Sequence, residues 1–185
     1  MTSDATPTNN ALRIPVLDRP DLLGAPVEAA FRALPAVAEL AQVAEIDAGL
    51  ADTEAFCAAY GVRPEESANC VVIAARRGEE TTYAACMVLA TTKADVNTLV
   101  RKRLGARKAS FAPMDVAVEL TGMEYGGITP IGLPAGWPVL VDAAVVAAGV
   151  VVVGSGVRRS KVWLPGSALA ALPGAEVVEG LGIPR

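Results

Sequence analysis

The chain has 185 residues, enough for one domain burying about 70% of its unfolded surface. Its residues are 52% apolar and only 4% aromatic, so the core must be built from Ala, Val and Leu. A net charge of −4 argues against a protein that coats nucleic acid, and the absence of histidine removes Ser-His-Asp and Cys-His arrangements, His-ligated metals and imidazole bases.

Residues 1–11 read as a disordered tail, since MTSDATPTNN has neither the basic nor the apolar stretch of a secretory signal. Residues 12–185 read as a single domain, with a core at about 45–180 and a helical N-terminal extension over 12–44. In the extension, Leu12–Leu17 suggests a short strand, Pro26 opens a helix over VEAAFRAL, and a second helix is predicted over Ala36–Ala44. Glu45–Asp47 suggests a brief edge strand. Asp52 or Thr53 is placed to cap a helix through Tyr60 that Gly61 terminates. Cys70–Ala75 and Tyr83–Ala90 are apolar runs joined by Arg76–Glu80, a hairpin signal. Asp95 then caps a helix ended by Gly105, Lys108–Phe111 is extended, and Pro113 opens the helix over DVAVELTG.

Beyond it lies GGITPIGLP, Gly126 to Pro134, which cannot form the interior of a helix or strand. Strands are predicted at Val139–Val141, Val150–Val153 and Lys161–Leu164. Ser167 is placed to cap a last helix to Leu172, and Val177–Val178 suggests an edge strand. Strands and helices in this irregular order indicate an α+β fold with a mixed sheet. The longest apolar stretch, Val139–Val153, is interrupted by Asp142 and Gly149, so it reads as buried strands and not as a membrane helix. Cys57, Cys70 and Cys86 are odd in number and lack metal-ligand spacing, which points to buried thiols in a reducing cytoplasm, with no metal and no cofactor.

The glycine loop is the first candidate site, because such a loop exposes N–H groups that can grasp a carbonyl or carboxylate. Thr129 could donate to a ligand or bond within the turn. Asp142, a lone acid in an apolar strand, must be paired or hydrogen-bonded. It either ties down Gly126–Pro130 or takes part in chemistry. The turn Gly154-Ser155-Gly156 is a hairpin turn unless an anion lies near it. Arg101, Lys102, Arg103, Arg107 and Lys108 either offset a helix dipole or form a phosphate-docking patch. Arg158, Arg159 and Lys161 make a smaller basic cluster.

Taken together, KASFAPMDVAVELTGMEYGGITPIGLPAGWPVLVDAAV and VVVGSGVRRSKVWL resemble the YbaK/prolyl-tRNA synthetase-associated editing-domain family over about residues 45–180. The shared markers are Thr121-Gly122, the GxxxP loop Gly126–Pro130, the acid at Asp142 and the turn at Gly154–Gly156. The resemblance implies a mixed, curved, partly closed β-sheet with flanking helices. It also implies hydrolysis, in trans, of the ester joining a small mischarged amino acid to tRNA, without a metal. Gly126, Gly127, Ile128, Thr129 and Pro130 would form the backbone cradle, supported by Asp142. Gly154, Ser155 and Gly156 would line the rim, and Lys102 and Arg103 would meet the acceptor stem.

Where the family carries a lysine opening the first hairpin strand, this chain has Asn69, which donates hydrogen bonds without charge. Asn69 would then orient the substrate, and Lys93 is a cation that could stand in. The partner implied is an aminoacyl-tRNA acceptor end or a small aminoacyl ligand, with no membrane expected and the oligomeric state open. The alternative is a catalytically silent module that binds an amino acid, nucleotide or tRNA end.

Overall fold

The computed structural model describes residues 11–185, so the expected tail falls almost wholly outside the described residues. The chain enters through β1 (Ile14–Pro15) and two tight turns, then α1 (Ala25–Ala33), where Pro26 sits in the first turn as expected. The predicted second helix is much shorter. Only α2 (Pro35–Ala38) is helical, and Gln42–Glu45 is strand β2. Alanine content favoured helix there, but β2 is hydrogen-bonded on both sides, and that pairing overrides propensity. For the same reason it is not the edge strand expected at Glu45–Asp47.

Helix α3 (Thr53–Tyr60) ends at Gly61, whose φ of 65° suits glycine. The hairpin follows as β3 (Ala68–Arg77) and β4 (Glu80–Leu89), both longer than the apolar runs suggested, with Gly78 and Glu79 as the turn. After β5 (Thr92–Ala94), the Asp95 carboxylate accepts from the amides of Thr98 and Leu99, as a cap should. The helix it starts is wide over Val96–Val100 and tightens into α4 (Arg101–Arg103). Then come β6 (Lys108–Phe111) and α5 (Met114–Thr121), which Gly122 terminates.

The Gly126–Pro134 segment is neither helix nor strand, as its composition requires. Strand β7 (Val139–Asp142) leads into α6 (Ala143–Ala147), and β8 (Val150–Gly154) and β9 (Ser160–Pro165) form a second hairpin. The last helix, α7 (Gly166–Leu169), is one turn long. Pro165 holds its cap position, so Ser167 falls inside the turn and does not cap it. Strands β10 (Ala175–Val178) and β11 (Gly182–Pro184) close the chain.

The order β10-β7-β4-β3-β6 makes a mixed five-stranded sheet, parallel at β7 and antiparallel around β3. A four-stranded antiparallel sheet, β1-β2-β9-β8, meets it at a parallel bridge from Ser67 to Val152. The main core fills the space between the sheets, where Phe31, Met87, Val141, Val153 and Leu164 are buried together. A second core, around Ile73, Cys86 and Leu140, backs the five-stranded sheet. The third packs Phe56 of α3 against Trp163 of β9, with ring centroids 6.0 Å apart. The seam at Ser67–Val152, beside that third core, is where the site forms.

Candidate active site

Two glycine turns far apart in sequence lie back to back. The amide of Gly156 donates to the Gly127 carbonyl at 2.7 Å, and that of Glu124 donates to the Gly156 carbonyl at 2.9 Å. No side chain fits between them. A Cβ on Gly127 would come within 2.7 Å of the Val157 nitrogen, and one on Gly154 within 2.7 Å of the Ile128 carbonyl oxygen. Gly126 adopts φ of +80°, and a Cβ there would also overlap the Arg158 guanidinium. That guanidinium latches the loop: it donates to the Tyr125 carbonyl at 3.1 Å and to Ala48 at 3.3 Å, and stands 5.5 Å from the Tyr125 ring centroid.

In front of the turns is a cavity of about 410 Å³. Its walls come from Asp52 and Thr53 before and in α3, Asn69–Val71 of β3, Met114, Tyr125, Gly126 and Ile128, and Val152–Gly154 of β8. Among the described residues, the amides of Gly126 and Ile128 have no backbone acceptor. Asn69 accepts a hydrogen bond from the Thr53 hydroxyl at 2.8 Å through its side-chain oxygen, which leaves its NH₂ to a ligand. Cys70 also lines the wall, and burial pushes its thiol far above the ordinary range; burial raises Cys86 to about 12. Neither is a nucleophile at neutral pH.

Lys161 of β9 completes the wall, 8% exposed. Its strand neighbours are Ala44 of β2 and Gly154 of β8. Both are small, so the lysine stem can cross them and bring Nζ to 3.4 Å from the Gly126 carbonyl and 5.5 Å from the Phe56 ring centroid. Burial, followed by repulsion from Arg158, lowers its pKa to about 8 against the pull of Asp52. Its sequence neighbours Arg158 and Arg159 made it look like part of a surface cluster. The signal that separates it is the one that marked Asp142: a single charge inside an apolar strand, here Ser-Lys-Val-Trp-Leu.

The structure brings together some of the residues expected at a site and disperses others. Gly126, Ile128, Gly154 and Asn69 line the cavity, and Gly127 forms the turn behind it. Thr129 is fully buried beneath, its hydroxyl without a partner among the described residues, and Pro130 faces a separate apolar cavity beside Trp137. Asp142 does not tie down the glycine loop. Its carboxylate accepts from Gly182 at 2.9 Å and from Ala144 at 3.4 Å, joining the start of α6 to β11. Ser155 is buried, its hydroxyl 2.7 Å from that of Ser160, and Gly156 packs on Gly24 and Val27, so neither forms a rim. Lys102 and Arg103 lie away from the cavity on α4, where Arg103 pairs with Glu176. Lys93 lines a different hollow, which shares Asn69 and Val71 with this one. Among the described residues, no group of three or more acidic or cysteine side chains is placed to hold a metal. No described helix is long and apolar enough to cross a membrane.

The class of protein to which these two linked sheets and their glycine turns belong is the aminoacyl-tRNA editing domain. The family model for that domain matches residues 47–172, and the chain belongs to the family. A crystal structure of a candidate trans-editing enzyme for prolyl-tRNA synthetase is 21% identical, with a TM-score of 0.65 over 81% of this chain and 95% of that one. A hypothetical protein of known crystal structure is 19% identical, with a TM-score of 0.74 over 85% of this chain and 99% of that one. A structure from the computational grafting of linear epitopes onto scaffold proteins is 20% identical, with a TM-score of 0.71 over 84% and 95%. At such identities the likeness speaks for the fold alone: α+β, with mixed sheets and flanking helices. No curated protein matches the sequence.

Proposed function

We propose that the chain is an aminoacyl-tRNA deacylase that hydrolyses, in trans, the ester of a small mischarged amino acid. The observation that carries this reading is the cavity of about 410 Å³ walled by backbone at Gly126 and Gly154, at the seam of an editing-domain fold. An aminoacyl ester is already activated, so fixing it in place and polarising its carbonyl supplies much of the barrier reduction. Backbone amides can do this without histidine. Gly126 and Ile128, which line the wall with amides that have no backbone acceptor among the described residues, would supply them, and the Asn69 NH₂ group would orient the ligand from β3. The modest volume favours a small side chain beside the terminal ribose. A charged-tRNA substrate and three free thiols support a cytoplasmic setting for this reading.

The test is deacylation of a panel of aminoacyl-tRNAs, including Ala-, Cys- and Ser-charged tRNA-Pro, by wild type and Gly126→Ala. Wild type is expected to hydrolyse at least one, and Gly126→Ala to lose that activity at least tenfold. Binding of tRNA without hydrolysis would favour the silent binding module, as would hydrolysis gained in Asn69→Lys. Neither hydrolysis nor binding would reject the reading.

A further inference from the structure

We propose that Lys161 is the catalytic cation of this cavity, its ammonium donating to the carbonyl oxygen of the bound ester and holding the charge that gathers there as water adds. This inference rests on the deacylase reading and adds to it a residue and a role. The ammonium carries three donors, and the Gly126 carbonyl at 3.4 Å engages one of them, leaving donors on a side chain that lines the cavity. No described carboxylate forms an ion pair with it. The nearby Asp52 pairs instead with Arg158, at 3.6 Å.

A buried cation with no carboxylate partner is costly to a fold. Pinning one loop carbonyl does not require it, since a neutral hydroxyl or amide would serve. Both observed contacts, a carbonyl oxygen and the face of Phe56, suit the ammonium over the free amine, which makes Lys161 a donor and not a base.

The step is balanced without further reagents. Water oxygen bonds to the ester carbon, and the carbonyl electron pair shifts to the oxygen facing Lys161. When that pair returns, the bond to the ribose oxygen breaks. The ribose oxygen takes one proton of the water and the other passes to solvent, so the amino acid leaves as a carboxylate. Lys161 transfers no proton; it stabilises the oxyanion, as a preorganised donor does.

The titratable and charged groups that face Lys161 are Asp52, Cys57 and Arg158, with Cys70 and Tyr125 elsewhere on the wall. Since its pKa lies at about 8, the ammonium is in place at neutral pH and is lost above that value.

The experiment is single-turnover deacylation by wild type, Lys161→Met and Lys161→Arg between about pH 6 and 9.5, corrected for spontaneous hydrolysis, with thermal melts of each protein. Lys161→Met is expected to fall by about 10²–10³-fold while melting no lower than wild type, because an unpaired buried charge has been removed. The wild-type rate is expected to decline as pH rises through about 8, and Lys161→Arg to keep part of the activity without that decline. An unchanged rate in Lys161→Met would overturn the proposal. So would a loss of rate that simply tracks a lowered melting temperature.

If wild type hydrolyses no aminoacyl-tRNA, the deacylase reading fails by itself. The lysine's role in recognising the carbonyl is then read from binding of an amide-linked aminoacyl-adenosine. Tenfold weaker binding in Lys161→Met would sustain that role, and equal binding would end it.

Discussion

Asp142 and Lys161 are both charged, both more than nine-tenths buried and both set in strands of apolar residues. Asp142 is satisfied: two backbone amides bond to its carboxylate. Lys161 has one carbonyl and an aromatic face. The difference shows as a pH dependence of stability. The Lys161 pKa is about 8 in the fold against 10.5 ordinarily, so between those values the unfolded chain binds more protons than the native one. Stability due to this group therefore rises as pH climbs from about 8 to 10.5. Urea titrations across that window should show the rise in wild type relative to Lys161→Met; parallel curves would mean the lysine is not held at a depressed pKa. Thr129 presents a related case without charge. Its buried hydroxyl has no partner among the described residues, so Thr129→Val should leave stability unchanged or raise it by about 1 kcal/mol. A loss above about 2 kcal/mol in denaturant would show that the hydroxyl is bonded in solution.

Elements marked by a local stop or cap, or by a short bounded run as in β6, β7 and β10, were legible in the sequence, whereas β2, which has neither mark, was not. Pro26, Gly61 and Asp95 each mark a helix end for a steric or hydrogen-bonding reason contained within a few residues, and each stands where it was expected. Strand β2 was hidden in an alanine-rich stretch because its partners, β1 and β9, lie far from it along the chain. The candidate site divides along the same line. The glycines of both turns could be picked out, but that they pack against each other depends on the fold. Asp142 could be recognised as a buried acid, yet its partner Gly182 is 40 residues away. Because the carboxylate links α6 to β11, Asp142→Ala should cost about 2–3 kcal/mol in chemical denaturation while the folded fraction keeps its deacylation rate. A rate loss beyond the unfolded fraction would return Asp142 to the catalytic machinery.

The molecule as a whole is acidic, yet its cations are unevenly placed. Arg76 pairs in register with Lys108, and the Arg107 amide donates to the Arg76 carbonyl, so the end of the β3–β4 hairpin gathers onto the basic α4–β6 segment with Arg101 and Lys102. Strand β3 runs directly from the cavity at Asn69 to this patch at Arg76, about 23 Å at the usual rise per residue. A tRNA whose 3′ end entered the cavity would then have its phosphates within reach of the patch, and affinity gained there should be salt-dependent and indifferent to the amino acid. Arg103 is already compensated by Glu176, so Lys102 and Arg107 are the better residues to reverse. The double variant Lys102→Glu/Arg107→Glu should lower kcat/KM for aminoacyl-tRNA at least tenfold and flatten its dependence on salt. Hydrolysis of a small aminoacyl-adenosine ester, which cannot reach the patch, should be unchanged. Equal losses on both substrates would mean that the reversal disturbs the cavity, and no loss on tRNA would place the acceptor stem on another face.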